Sequence, residues 1–180
     1  MASIDTACPA NCDTPLGTFS FSACGGEFNQ AQINYLYIMN ADYPLVDWSN
    51  PGEWATRLAL TTEANAIRRL TVLGSLGDPT RTLTKRSAGR TSYSPFTFNL
   101  TADIDEDNNT NYDAVRQFGC NGSYRIYYST LGGKLYDPNA IASINAWEPI
   151  TANDEDIVVL KLSVQWTENT SPLRITNPIA

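Results

Sequence analysis

The 180-residue sequence contains no histidine. That absence removes Ser-His-Asp and Cys-His arrangements, histidine-bearing metal sites and the commonest general base. Charge is also scarce, at 17% of residues, against roughly a quarter in ordinary soluble domains. Thr, Asn, Ser, Ala and Tyr cover the surface instead. Such a mixture occurs where a surface meets other protein, and also in ordinary Thr/Asn-rich β proteins. The charge present is acidic, net −7, so the molecular field repels phosphate backbones and no sequence-specific nucleic-acid partner is expected. No apolar run approaches the ~20 residues that cross a bilayer, and the opening Met1-Ala2-Ser3-Ile4-Asp5 has no basic stretch followed by an apolar one. No membrane partner is therefore expected, and the chain is expected to be made soluble in a cytoplasm.

Cysteine is confined to four positions, with Cys8, Cys12 and Cys24 near the N-terminus and Cys120 far along the chain. Cys8 and Cys12 alone have knuckle spacing, with no second pair, so free thiols or a late disulfide are preferred to zinc. Gly25-Gly26 and Gly132-Gly133 lack the G-K-[ST] or G-x-x-G continuation of a phosphate cradle and read as turns. No cofactor is expected.

At this length one domain with its own core is the default. Residues 1–30, punctuated by Pro9, Pro15, Gly17, Gly25 and Gly26, read as an extended cysteine-containing arm. Residues 31–168 carry the strand signals. Ile33–Met39 is apolar on both sides, with Ile33, Tyr35, Tyr37 and Met39 on one face and Leu36 and Ile38 on the other. Asn50-Pro51-Gly52-Glu53 starts a short helix to about Leu60. Ile67–Leu73 and Arg81–Arg86 read as strands joined across Gly74, Gly77, Asp78 and Pro79. The second strand is basic and reads as an edge or a contact strip. From Phe96, apolar Phe98, Leu100, Ala102 and Ile104 alternate with polar partners. Thr110 to Gly119 reads as a two-turn helix capped at Thr110. Tyr124–Thr130, Ile141–Trp147 and Ile157–Thr167 complete a mainly β chain. Strands at this spacing predict an antiparallel β-sandwich or small barrel with one or two short helices and extended N- and C-terminal arms. Residues 169–180, with Pro172, Leu173, Ile175 and Pro178, read as an extended tail of the kind that docks on a neighbour.

Two acidic loops, Asp103–Asp107 and Asp154–Asp156, hold clustered carboxylates that do not face each other from identifiable strands, so glycosidase chemistry is not expected. Asp103, Asp105 and Asp107 alternate as in a calcium loop, but Asn108 stands where that loop needs glycine and Ala114 where it needs glutamate. A looser calcium site on those three residues competes with a solvated turn, and the turn is the expectation. Tyr124, Tyr127, Tyr128, Tyr136, Trp147 and Trp166 could form an aromatic platform for sugar or bases, although strands need such residues for packing in any case.

The order of Pro95–Leu100, the helix Asn111–Arg116, Tyr124–Thr130 running into Gly132–Tyr136, and strands ending at Trp147 and Trp166 resembles small virion proteins of tailed bacteriophages. It looks like the tail-tube family, whose sandwich flanked by one helix forms rings that stack into a tube. The cysteine-rich arm followed by Cys24-Gly25-Gly26 looks like tail- or capsid-associated structural proteins of phages infecting Bacteroidetes. The resemblance implies a non-enzymatic subunit that assembles in the host cytoplasm into a virion, with itself and other virion proteins as partners. It further implies that the acidic loops face a lumen and repel DNA. The strip of Lys85, Arg86 and Arg90 then meets an acidic patch on the next ring, and Pro172, Leu173 and Ile175 reach a neighbour. A capsid decoration protein is the alternative within that class, and a carbohydrate-binding β-sandwich module the alternative outside it.

Overall fold

The computed structural model describes residues 31–85, 91–104, 108–118, 122–149 and 159–179. All four cysteines, Arg86, Arg90, Asp105, Asp107 and the 154–156 loop lie outside them. In chain order the elements are β1 (Ile33–Asn40), α1 (Pro51–Leu58), β2 (Arg68–Leu76), β3 (Leu83–Lys85), β4 (Thr91–Tyr93), β5 (Phe96–Ile104), α2 (Asn109–Gln117), β6 (Tyr124–Thr130), β7 (Lys134–Asp137), β8 (Ile141–Trp147), β9 (Leu160–Glu168) and β10 (Leu173–Thr176).

Period-two alternation makes the long strands two-faced, and closing the sheet gives every inward face the same interior. The antiparallel order β1-β2-β5-β9-β8-β6 closes because β6 pairs back onto β1 along its whole length. Of the two architectures expected from the sequence, the chain adopts the barrel, with six strands. Side chains fill it: Phe98 stacks on Trp166 at 5.3 Å between centroids, over fully buried Leu100, Leu160 and Val164. Helix α2 adds Val115 to this core and sets Phe118 edge-on to Tyr124. Strand β6 changes partner part-way. Tyr124 and Arg125 pair with β8, whereas Tyr128 and Ser129 pair with β7. Strand β7 therefore leaves the barrel wall and carries β10 on its far edge.

Several local expectations change. A β-bulge between Ile33 and Tyr35 shifts the alternation by one, so Ile33 joins Leu36 and Ile38 inside the barrel. Gly74 does not end a strand. It lies inside β2 opposite Ile33 and Ala102, where a Cβ would stand 3.1 Å from that of Ile33, so glycine permits the close approach. Helix α2 starts one residue before Thr110, because Asn108 is the cap and its side chain accepts from the Asn111 N–H at 2.9 Å. Helix α1 stops at Leu58. Of the expected basic strand, Leu83–Lys85 forms β3, which among the described residues pairs with β4 alone, apart from the barrel sheet, while Arg81 and Thr82 precede it and Arg86 lies outside the described residues. The tail segment contains β10, which pairs with β7 of the same chain.

Candidate interaction surface

The barrel has two very different outsides. Over β1, β6 and β7 the outer face is roofed by α1, the loop preceding it and the C-terminal segment. Asn50 caps α1 by accepting from Gly52 N–H at 2.9 Å, and Pro51 supplies the first helical φ. Glu53 accepts from the N–H groups of Val46 and Asp47, while Arg57 donates to the carbonyls of Tyr43 and Pro44. These bonds fasten the loop to the helix. Trp54, 0% exposed, then sits between Tyr37 and Tyr127 with ring centroids 5.1 and 5.2 Å away, its indole N–H donating to the Trp48 carbonyl. Met39, Ile67 and Leu135 complete this second core, and Ile175 and Ile179 from the C-terminal segment pack against it. Burial raises the pKa of the Tyr37 and Tyr127 hydroxyls, so both remain neutral.

The opposite wall, β2, β5, β9 and β8, is open. Its registers set the outward side chains in rows across four strands: Leu73, Asp103, Lys161, Trp147; then Ser75, Thr101, Ser163, Asn145; then Asn99, Gln165, Ser143. Lys161 donates to Asp103 at 3.0 Å, Gln165 to Asn99 at 3.0 Å, and the Ser75 and Thr101 hydroxyls meet at 3.2 Å. Charge in these rows is limited to that one ion pair. Trp147 is 46% exposed at one margin and Leu73 57% exposed at the other.

A third feature joins residues that no sequence pattern put together. Glu168 extends the inward series of β9 past Trp166, and Asp137 ends β7. Burial, with the Asp137 charge adding to it, pushes the Glu168 carboxyl up to about 7 against the bond it accepts from Thr170. Burial also raises Asp137, against the bond it accepts from the Asn139 N–H at 2.6 Å and the nearby Arg125. Three polar atoms here, Glu168 Oε2, Trp166 Nε1 and Arg125 Nε, are buried without a protein partner. The available signal was a glutamate at an inward position of an otherwise apolar alternating strand, since such a group is costly to bury charged.

The residues singled out from sequence fall in different places. Asp103 is committed to Lys161, while its companions Asp105 and Asp107 lie outside the described residues, as do Arg86 and Arg90. Lys85 ends β3 opposite Thr91. Pro172 is half-buried, Leu173 is 52% exposed opposite Asp137, and Ile175 packs on the covered aromatic core. Tyr124, Tyr128, Tyr136 and Trp166 belong to barrel packing and Tyr127 to the roofed core, whereas Trp147 alone of that set faces outward beyond the packing. Among the described residues no group of three or more His, Cys, Asp or Glu is placed to hold a metal, and no helix is long and apolar enough to cross a membrane. No family model, curated protein or solved structure matches the chain.

Proposed function

We propose that this chain is a non-enzymatic structural subunit that associates with copies of itself, and that its setting is the bacteriophage virion which the order of its segments resembles, in a ring-forming, tail-tube-like role. The observation that carries the reading is the open four-strand wall. An exposed protein surface ordinarily holds interspersed charge of both signs. Here the rows of Ser, Thr, Asn and Gln enclose a single ion pair. Short side chains lose little rotamer entropy when covered, and depletion of charge at the centre is a feature that the wall shares with protein interfaces. The roofed face has already used its aromatic residues on the chain's own helix, so it offers a neighbour less.

Sedimentation across a concentration series, with negative-stain imaging of concentrated protein, tests this. Rings, filaments or defined oligomers are expected, and Thr101→Arg at the centre of the wall should reduce them at least tenfold while leaving the thermal midpoint nearly unchanged. A protein monomeric at every concentration that turns over a small compound refutes it. A monomer or trimer that associates only with capsid indicates the decoration role. The exposed Trp147 beside Lys161 and Asp103 supports carbohydrate binding as a second reading. Quenching of tryptophan fluorescence by added polysaccharide, lost in Trp147→Ala, distinguishes it.

A further inference from the structure

Strand β10 is short and peripheral to the barrel. It is four residues long, pairs among the described residues with β7 alone, and is reached from β9 through residues 169–172, which include Pro172. A carboxylate stands at each end of that connection. Glu168 is the last residue of β9, and Asp137 lies directly opposite Leu173, the first residue of β10. Asp137 faces Glu168 from β7, Tyr128 faces it from β6 while stacked on Tyr136 of β7, and Thr170 faces it from the connection itself. Arg125 of β6 compensates Asp137 but leaves Glu168 Oε2 buried without a partner. When both carboxylates are ionised, two like charges are held together in a poorly hydrated joint, and opening the joint returns them to water.

The contacts of β10 itself do not depend on the joint. The β7 ladder and the packing of Ile175 and Ile179 on the covered core are the same whether the strand comes from its own chain or from another, which is the condition for exchange of an element between identical subunits. A short connection favours that exchange. We propose that β10 is an exchangeable strand, laid on β7 of a second copy of this chain when the protein associates, and that ionisation of Glu168 and Asp137 drives the transfer. This rests on the subunit reading above and adds to the open-wall contact a second one between copies, on the covered side. Burial pushes the Glu168 carboxyl up to about 7 in the closed chain, so the balance is expected to move toward the exchanged form between pH 6 and pH 8.

Register gives a direct test, since Thr176 of β10 lies opposite Lys134 of β7 and directly opposed residues come within disulfide reach. Full-length Lys134→Cys and Thr176→Cys proteins are mixed, incubated at pH 6 or pH 8 and oxidised. Peptide mapping then scores the link between positions 134 and 176. The yield is normalised to the doubly substituted chain, which reports folding and closes the link within itself. A 134-to-176 link between different chains is expected, severalfold higher at pH 8 than at pH 6, with the pH difference reduced by Glu168→Gln to the part due to Asp137. If the wild type oligomerises in sedimentation but the mixture gives no such link, strand exchange is wrong and the subunit reading stands. If the wild type is monomeric throughout and no link forms, both fail. Equal yields at the two pH values overturn control by the carboxylates.

Discussion

The covered and open walls of one barrel use the same strand geometry for opposite ends. On β1, β6 and β7 the outward positions are Tyr37, Met39, Tyr127 and Leu135, and a helix, a loop and the C-terminal segment fold over them. On β2, β5, β9 and β8 the outward positions between Leu73 and Trp147 at the margins are polar, and most of them short. The contrast teaches that a second core forms where outward residues are large enough to be worth roofing, since apolar burial scales with area. Where they are short and uncharged, no element of the described residues folds over the wall. The roof is fastened mainly by hydrogen bonds of Glu53 and Arg57, with the Trp54 indole as its keystone.

Breaking the contrast from the covered side should have the largest effect. Trp54→Ala removes a fully buried indole between two tyrosine rings and is expected to cost about 3–5 kcal/mol of unfolding free energy in denaturant titration. A loss below 1 kcal/mol would show that the roof does not stabilise the barrel. The next effect is a pH dependence. Glu168 in the folded chain holds its proton up to about 7, above its ordinary 4.5, so the folded state binds more protons than the unfolded one between those values. Its stabilising contribution is full below pH 4.5 and lost as pH rises through 7. Glu168→Gln should flatten the decline in stability between pH 5 and pH 8, leaving the part due to Asp137, which is also raised. An undiminished decline in the variant contradicts the assignment.

Smaller effects sharpen the comparison at its edges. Asn108→Ala removes the cap of α2 and is expected to cost about 1 kcal/mol in the same titration. On the open wall, Asp103→Ala should change stability by no more than about 1 kcal/mol because the ion pair with Lys161 is exposed. Thr101→Arg should stay within about 0.5 kcal/mol while suppressing oligomers, which separates a wall kept for contact from one kept for folding. An arginine there that destabilises the monomer by several kcal/mol would mean that the wall is covered in the folded chain.

Much of the fold could be read residue by residue. Alternation from Phe96 to Ile104 named Phe98, Leu100, Ala102 and Ile104, all buried, with Phe96 half-buried at the strand's start, because one face of the strand had to be apolar whatever its partner. The helix start at Asn50-Pro51 was equally plain, since cap chemistry is local. The bulge at Ile33 and the continuation of β2 through Gly74 were not legible, because both depend on a strand distant in sequence. The candidate surface was only partly legible. The polar outward residues were visible as alternation, but not that they align into four-strand rows. The acidic loops drew attention away from Asp137 and Glu168, whose significance lies in their being brought together.

The sequence by itself determined that this protein is mainly β, that its first helix begins at Asn50-Pro51, and which face of β5 is buried, because those choices follow from backbone period and cap hydrogen bonds within a few residues. Tertiary structure alone decided that the sheet closes through β6 onto β1, that one outer wall is roofed and the other left bare, and that two carboxylates share a joint at the root of the last strand. Those outcomes depend on register and pairing between segments far apart in the chain, and a strand's alternation specifies a face without specifying the neighbour it will meet.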